Sequence, residues 1–364
     1  MSKAAELAAL IGSQTALSNR NLIINGAMQV AQRGTSLTVG DSTEYKTLDR
    51  FAIGINGTTA GRATMSQATD APSGFGNSMK FDVTTADTSI GANEAFGFLH
   101  RIEGQNLQQF AKGTADAKVC TLSFYAKGTA KTYVVETRDA NSRQVSATFN
   151  VTTSWQRFEI TIPADTAGTI ANDNSTGLTI IWWLHAGSDF TSGTLNTSWA
   201  ASVNANRMVG CESIFSSTSN ELFITGVQLE VGETATPFEH RSFGEELALC
   251  QRYFCKSYNY DIAPGASGSV NNLKGAASFS GGTSTSNRPF WSAGQYPVTM
   301  RSEPTIVLYH YDGTSGKITG GSFASYDGTA TNIGDRGFNA HPTGNVSNSD
   351  DEDHYLIFTA SAEL

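Results

Sequence analysis

Aromatic rings and planar polar side chains recur between Gly- and Ser-rich stretches in the last third of the chain. Binding of a sugar needs ring faces that stack on its C–H groups and planar polar groups that bond to its hydroxyls. We therefore predict a receptor- or glycan-binding site built from six residues: Trp291, Tyr296, Tyr311, Asp312, Tyr326 and Asp327. The competing interpretation is that these rings fill the core of a small domain or a subunit interface.

The sequence contains no arrangement typical of an enzyme. It has no nucleophile elbow, no histidine pair spaced for a metal, no phosphate-binding loop and no dinucleotide fingerprint. A glycosidase needs two carboxyl groups at a defined separation, and Glu94 and Glu103 are a pair that could serve. We predict that the protein is not an enzyme.

Metal ions and cofactors are not expected either. The acidic run at residues 350–354 (DDEDH) lacks the alternating Asp or Asn and the Gly of a calcium loop, which favours a solvated turn. Four cysteines are too few and too scattered to cross-link a chain of this length, so we predict free thiols. Cys250 and Cys255 fall in a predicted helix about 140° apart around its axis, too divergent to share a bridge or a metal.

Composition limits the classes of partner. The 364 residues carry 24 Lys and Arg against 33 Asp and Glu, so the net charge is −9 and nucleic acid is not an expected partner. No window approaches the roughly 20 apolar residues of a membrane span, and the first residues (MSKAAELAALIG) do not form a signal sequence. We expect a protein made in the cytoplasm and not inserted into a membrane. Its length suggests two domains or three.

Four segments follow from the hydrophobic pattern. In residues 1–20, Leu7, Leu10 and Ile11 lie on one face of a short amphipathic helix, which we predict to be an anchor or oligomerisation element. Residues 21–241 alternate in short runs separated by turn residues, which is typical of an antiparallel sandwich. A capping box at Ser242 and Glu245 begins a connecting helix over residues 242–258, and residues 259–364 form a smaller, distal β domain that carries the predicted binding site.

The predicted fold class is therefore all-β: a jelly-roll sandwich plus a distal β domain, with two short helices. The clearest strands of the sandwich cover residues 119–126, 132–137, 144–151, 157–162, 178–184 and 222–229. Distal strands are predicted at residues 297–300, 305–311 and 354–360. Because Trp182 and Trp183 are consecutive in a strand, one points into the core and the other faces solvent, a loop or another subunit.

Two groups of short motifs resemble known proteins. Residues 21–26 (NLIING), 32–34 (QRG) and 48–51 (LDRF), followed by 226–232 (GVQLEVG), 235–241 (ATPFEHR) and 250–254 (CQRYF), resemble bacteriophage tail-fibre and minor structural proteins, especially those of marine phages. The middle region, from 124–127 (FYAK) through 155–158 (WQRF) to 224–229 (ITGVQL), is similar to galactose-binding-like carbohydrate-binding modules.

The resemblance implies a non-catalytic virion protein, made in the host cytoplasm and commonly homotrimeric. Its N-terminus would join other virion proteins, and its distal domain would bind a glycan or protein receptor on the host. Trimeric avidity can raise weak glycan affinity by about 10² to 10⁴. Two alternatives stay open: a head or baseplate decoration protein that contacts no receptor, and a polysaccharide-degrading tail spike.

The charged residues within these motifs have opposite signs. We predict that they form structural ion pairs that join the sandwich to the connecting helix. The residues are Asp49, Arg50, Glu230, Glu239 and Arg241.

Overall fold

The structure is a computed structural model that describes residues 19–40, 42–267, 277–280, 292–320, 323–343 and 353–364. The chain divides into two compact units. The sandwich unit comprises Met1–Ala31, Thr35–Phe243 and Leu364, and the distal unit comprises Gln32–Gly34 and Gly244–Glu363. Among the described residues, no helix is both long and apolar enough to cross a membrane. The predicted anchor residues Leu7, Leu10 and Ile11 lie outside the described residues.

Twelve strands build the sandwich unit as two six-stranded antiparallel sheets. The first sheet has the order β1-β3-β4-β12-β6-β9 and the second β11-β8-β7-β10-β5-β2. The strands are β1 (Ser36–Val39), β2 (Phe51–Asn56), β3 (Arg62–Ala68), β4 (Ser78–Thr85), β5 (Ala95–Glu103), β6 (Cys120–Gly128), β7 (Lys131–Asp139), β8 (Arg143–Val151), β9 (Gln156–Ile162), β10 (Thr176–Ala186), β11 (Ala200–Ala201) and β12 (Glu221–Val231). The jelly-roll sandwich and all six of its predicted strands are confirmed.

Alternating side chains of the two sheets form the main core. Trp182 on β10 is fully buried and stacks on Phe98 of β5, with ring centroids 4.9 Å apart and planes at 6°. Phe124 of the opposite sheet meets the same indole edge-on at 5.8 Å. Burying rings of this size contributes roughly 1.5–3 kcal/mol each, so the alternation that predicted these strands also stabilises them.

Trp183 points to the other face of β10, as predicted, and the chain segment that follows β10 covers it there. The covering segment includes the short helix α1 (Ser188–Thr191), whose Phe190 packs in the same cluster as Met208. The indole Nε1–H donates to Glu136 Oε2 at 2.7 Å, and Trp183 is only 6% exposed. Short 3₁₀ helices occur at Gly104–Phe110, Asn204–Asn206 and Ile214–Ser216.

The distal unit contains helix α2 (Phe243–Gln251) and a second β-structure. Six of its strands follow the order β13-β20-β17-β18-β19-β15, and β14 and β16 also pair with β20. The strands are β13 (Phe254–Lys256), β14 (Ala277–Ser280), β15 (Ser292–Gln295), β16 (Thr305–Tyr309), β17 (Lys317–Thr319), β18 (Ser325–Thr331), β19 (Gly337–Pro342) and β20 (Asp353–Ser361). Its core is smaller and centres on Met300, Leu308, Phe338 and Phe358.

Three predictions of secondary structure in this unit are wrong. The connecting helix predicted over residues 242–258 ends at Gln251, because Phe254–Lys256 pairs with the end of β20. Cys255 consequently lies on a strand and not on the helix of Cys250, although all four cysteines are free thiols as predicted. Residues 297–300 form no strand and follow β15, which ends at Gln295. The strand predicted over residues 305–311 ends at Tyr309.

Candidate functional site

The structure separates the six predicted binding residues. Trp291 lies outside the described residues. Tyr296 is 8% exposed and belongs to the distal core, where its ring stacks on Phe338 at 6.0 Å. Burial raises the pKa of the Tyr296 phenol, as expected for a group held away from water. Tyr296 also lines a cleft of about 400 Å³ together with Gln295 and Arg336, but its ring face is used inside the core.

Tyr326 and Asp327 are consecutive on β18, so their side chains point to opposite faces. The half-buried Tyr326 ring covers Gly320, where a Cβ atom would come within 2.2 Å of the ring. Asp327 is exposed and accepts a hydrogen bond from Lys317 Nζ at 2.6 Å. These two residues therefore do not form one surface.

Tyr311 belongs to a cluster of three rings that reach the surface. Its centroid lies 5.0 Å from that of Phe323, and Phe323 stacks on Tyr355 at 6.4 Å with planes at 11°. Phe323 is 47% exposed, and the other two rings are partly exposed. We call Tyr311, Phe323 and Tyr355 the aromatic patch. The sequence pattern does not indicate Phe323 and Tyr355, because they lie 12 and 44 residues beyond Tyr311.

Three chain segments hold the patch in place. Tyr311 follows β16, and its N–H donates to Thr319 Oγ1 at 2.8 Å. Thr319 in turn pairs with Tyr355 at the junction of β17 and β20. Phe323 lies after β17 with a φ of 62°, a left-handed conformation that bulky residues rarely adopt and that costs of the order of 1–3 kcal/mol.

A carboxylate lies beside the patch. Asp312 Oδ1 accepts a hydrogen bond from the Thr314 N–H at 2.9 Å and lies 3.0 Å from His310 Nδ1. The Thr314 hydrogen bonds and His310 lower the pKa of Asp312 to about 2, so the carboxylate is ionised at neutral pH. Asp312, the residue that follows Tyr311, is thus an exposed acceptor for hydroxyl groups, and a carboxylate together with ring faces can hold a sugar.

The sandwich unit offers a second surface of similar chemistry. Trp155 is half-buried in the turn between β8 and β9, and its Nε1–H donates to Asp70 Oδ1 at 3.1 Å. Lys127 Nζ lies 5.5 Å from the centre of that ring and also pairs with Asp70. Hydrogen bonds from Lys127 and Trp155 lower the pKa of Asp70. A cleft of about 220 Å³ beside Lys127 is lined by Thr129, Thr153, Ser219 and Glu221.

A further cleft of about 350 Å³ lies between β8 of the second sheet and the edge strand β9 of the first. Its lining combines the apolar side chains of Val135, Val145 and Ile162 with hydroxyl groups. The hydroxyl groups belong to Thr137, Ser146, Thr148, Thr161 and Thr197. No aromatic side chain lines this cleft in the described part of the chain, so it offers no ring face for stacking.

The charged motif residues join the two ends of the sandwich unit. The Glu239 carboxylate accepts hydrogen bonds from the Asn19 and Asn21 N–H groups at 2.5 and 2.7 Å, and Arg241 donates to the Ile23 carbonyl at 3.0 Å. Glu230 Oε2 lies 3.7 Å from Arg20 Nε. The predicted ion pairing among these residues stays a prediction.

Asp49 and Arg50 are both buried. Arg50 donates to the Arg101 carbonyl at 2.8 Å, and the Asp49 carbonyl accepts from the Asn25 amide at 2.9 Å. Their predicted role in joining the sandwich to the connecting helix likewise stays a prediction.

Comparison with known proteins gives only distant likeness. No family model and no curated protein matches the chain. Among solved structures, a family 4 carbohydrate-binding module covers 57% of this chain and 98% of its own, with 12% identity and a TM-score of 0.28. A family 61 module in complex with β-1,4-galactotriose covers 59% and 100%, with 12% identity and a TM-score of 0.29. The enzymatically active domain of tailspike protein 4 of bacteriophage CBA120 covers 58% and 22%, also with 12% identity and a TM-score of 0.29. At these values no residue role is carried over to this chain.

Proposed function

We propose that this protein is a non-catalytic attachment protein of a bacteriophage particle that binds host-surface glycan through the aromatic patch. The observation that carries the proposal is Phe323, a large apolar ring left 47% exposed in a contiguous cluster with Tyr311 and Tyr355. Exposing such a cluster to water is unfavourable, so clusters of this kind commonly mark binding surfaces. The left-handed backbone conformation of Phe323 costs further free energy, and a role in binding would explain why it is retained.

The chemistry of the patch favours a sugar over a purely apolar ligand. The apolar C–H face of a pyranose packs on aromatic rings, while its hydroxyls need acceptors and donors at the edge. Asp312 supplies an ionised acceptor, and the phenol groups of Tyr311 and Tyr355 can both donate and accept. A low charged fraction of 16% also suits a surface that meets neutral glycans.

The assignment to a virion follows from the motifs at residues 21–51 and 226–254, which resemble phage fibre proteins. We propose that the chain is made in the host cytoplasm, assembles as a homotrimer and joins other virion proteins through its N-terminal residues. Each copy would then present one patch, and avidity would strengthen individually weak contacts.

The test uses the full-length chain on a glycan array, with Phe323→Ala and Tyr355→Ala as variants. Each variant should lose about tenfold in affinity for the glycan that the wild type binds, because about 1–1.5 kcal/mol of ring stacking is removed. The matched control is Tyr260→Ala, which removes another exposed ring, 39% exposed, from the same unit. Equal binding by Phe323→Ala and wild type would overturn the location of the site.

A parallel variant, Trp155→Ala, separates the two aromatic surfaces. Loss of binding in Trp155→Ala with retention in Phe323→Ala would place the site on the sandwich unit. Incubation of the wild type with host-envelope polysaccharide tests the non-catalytic part of the proposal. No reducing sugar should be released. Release of reducing sugar that depends on the added protein would identify a degrading tail spike instead.

A further inference from the structure

Three buried side chains that the proposed function does not use meet in the sandwich unit. Asp87 lies just after β4, Glu94 just before β5, and His185 near the end of β10. One carboxylate oxygen from each acid and one imidazole nitrogen all lie within 4.8 Å of one another. The three residues are 7 to 98 positions apart in the sequence, so no short sequence motif predicts the cluster.

Backbone hydrogen bonds fix the three segments. The Asp87 N–H donates to the Phe215 carbonyl at 2.8 Å, and the Gly187 N–H donates to the Glu94 carbonyl at 2.7 Å. A bulge between Trp183 and His185 interrupts the pairing of β10 with β5. Bulges of this kind often re-aim a side chain, and here the residue after the bulge is His185.

In the described part of the chain, the two carboxylates of the cluster are matched by one histidine and by no Lys or Arg. Asp87 accepts hydrogen bonds from Thr59 Oγ1 and from the Ala60 and Ser89 N–H groups at 2.8–3.0 Å, which favours its ionised form. Glu94 Oε2 lies 3.3 Å from His185 Nε2. Within the described ranges, Glu94 Oε1 makes no hydrogen bond, and neither carboxylate has a Lys or Arg partner. Asp87 is buried and the Glu94 side chain is 11% exposed, so an ion would offset the cost of bringing two carboxylates together in this largely buried place.

Nδ1 of His185 has a hydrogen-bond partner of the kind that the second nitrogen of a metal-ligating histidine usually has. Nδ1 lies 2.7 Å from Ser213 Oγ, and that hydroxyl is itself held by the Phe215 N–H at 3.1 Å. In the tautomer whose Nδ1–H donates to Ser213 Oγ, Nε2 is unprotonated and faces Glu94 Oε2 at 3.3 Å. Ligating histidines usually use their second N–H in this way. The Phe215 ring packs edge-on against the imidazole at 5.4 Å and restricts its rotation.

We propose that Asp87, Glu94 and His185 form a binding site for one divalent transition ion of the Zn²⁺ class. One imidazole nitrogen and two carboxylate oxygens are ligands for such ions, and a water molecule would complete a four-coordinate site. Binding draws the three ligand atoms closer, to bonds of about 2.0–2.2 Å. The ion neutralises the carboxylates and ties β10 to the segment between β4 and β5. The proposal is independent of glycan binding and departs from the sequence-based expectation of no metal.

The test begins with the full-length wild type, stripped with a chelator and titrated separately with Zn²⁺, Co²⁺ and Ca²⁺. We expect about one ion per chain, a visible absorption spectrum of Co²⁺ in a low-coordinate N/O site, and a melting temperature raised by a few degrees. Stoichiometric binding of neither Zn²⁺ nor Co²⁺, or a clear preference for Ca²⁺ over Zn²⁺, would overturn the proposal.

Variants then locate the ion. Glu94→Gln keeps the size of the side chain and should weaken Zn²⁺ binding at least tenfold, and Ser213→Ala should weaken it about 10- to 100-fold through the orientation of His185. The control is Asp116→Asn, which neutralises an exposed carboxylate of the same unit and should leave binding unchanged. If Glu94→Gln does not fold, Ser213→Ala and the wild-type titration decide the question. Unchanged Zn²⁺ affinity in both variants would contradict the site.

Discussion

Large rings occur beyond the cores of both units, but their neighbours differ. In the sandwich unit, the Arg207 guanidinium lies 5.4 Å from the Trp183 ring centre, and Lys127 lies 5.5 Å from that of Trp155. Each indole N–H also donates to a carboxylate, of Glu136 or Asp70. In the aromatic patch, the rings meet other rings, and no Lys or Arg of the described residues covers them. Trp183 is only 6% exposed, whereas Trp155 and the patch rings are partly exposed. For the partly exposed rings, availability for a ligand therefore depends on what already occupies the ring face.

The two regions should also respond differently to the same substitution. A core ring of the sandwich stabilises the fold, because its removal leaves a cavity. Phe323 of the patch adds little to stability, because about half of its surface already contacts water. The predictions below use this difference, from the largest expected effect to the smallest.

Phe98→Ala should destabilise the sandwich by about 3–5 kcal/mol, because Phe98 is fully buried between Trp182, Phe51 and Phe81. Urea unfolding followed by tryptophan fluorescence measures the loss, since Trp155, Trp182, Trp183 and Trp199 all belong to this unit. A loss below about 1 kcal/mol would show that the stacked rings do not form the main core.

Glu136→Gln should cost about 3 kcal/mol, because it removes the negative charge that balances the largely buried guanidinium of Arg207. The Glu136 carboxylate accepts from Arg207 Nη2 at 3.0 Å and from Trp183 Nε1 at 2.7 Å, so the emission of Trp183 should change as well. The control is Glu159→Gln, which breaks an exposed pair with Arg157 and should cost less than about 0.5 kcal/mol. Equal costs for the two variants would contradict the role of burial.

Acidification should weaken the sandwich below about pH 6.5. Burial and the nearby Arg50 hold the pKa of His100 well below its usual value, so the folded chain keeps this imidazole neutral while the unfolded chain binds a proton. Stability therefore falls as the pH decreases, by up to about 1.4 kcal/mol per pH unit from this group.

Urea unfolding at pH 7.5, 6.5 and 5.5 measures this dependence. His100→Gln should flatten it, and His240→Gln, which replaces an exposed histidine, should not. An unchanged pH dependence in His100→Gln would show that another group dominates.

Phe323→Ala should change the free energy of unfolding by no more than about 0.5 kcal/mol. Phe323→Gly should be slightly stabilising, because glycine tolerates the φ of 62° without strain. Thermal unfolding of the three proteins under identical conditions tests both statements. A large destabilisation by Phe323→Ala would mean that the patch is part of the distal core.

Sequence patterning was most informative where strands alternate cleanly. The strands of Trp182 and Phe124 were predicted because period-2 burial between two sheets is a local signal. The helix at residues 242–258 was extended too far because Phe254–Lys256 pairs with residues about 100 positions later, a contact that no local pattern contains. The loop position of Tyr296 predicts a surface ring, but its ring packs in the distal core.

The sites were less predictable than the fold because they are assembled across the chain. Tyr311 and Asp312 were identified from their types and turn context, whereas Phe323 and Tyr355 join them only through the packing of β17 and β20. The cluster of Asp87, Glu94 and His185 depends on a bulge and on two loop contacts. Composition could not indicate which carboxylates would lack a cationic partner.

Binding of labelled full-length protein to cells of a bacterial host panel tests the central claim most directly. Wild type, Phe323→Ala and Tyr260→Ala are compared after thermal unfolding has shown that all three are folded at the assay temperature. The account predicts saturable binding by the wild type and by Tyr260→Ala, and a loss of about tenfold or more in Phe323→Ala. Undiminished binding by Phe323→Ala to cells that bind the wild type would contradict the claim that the aromatic patch is the attachment site.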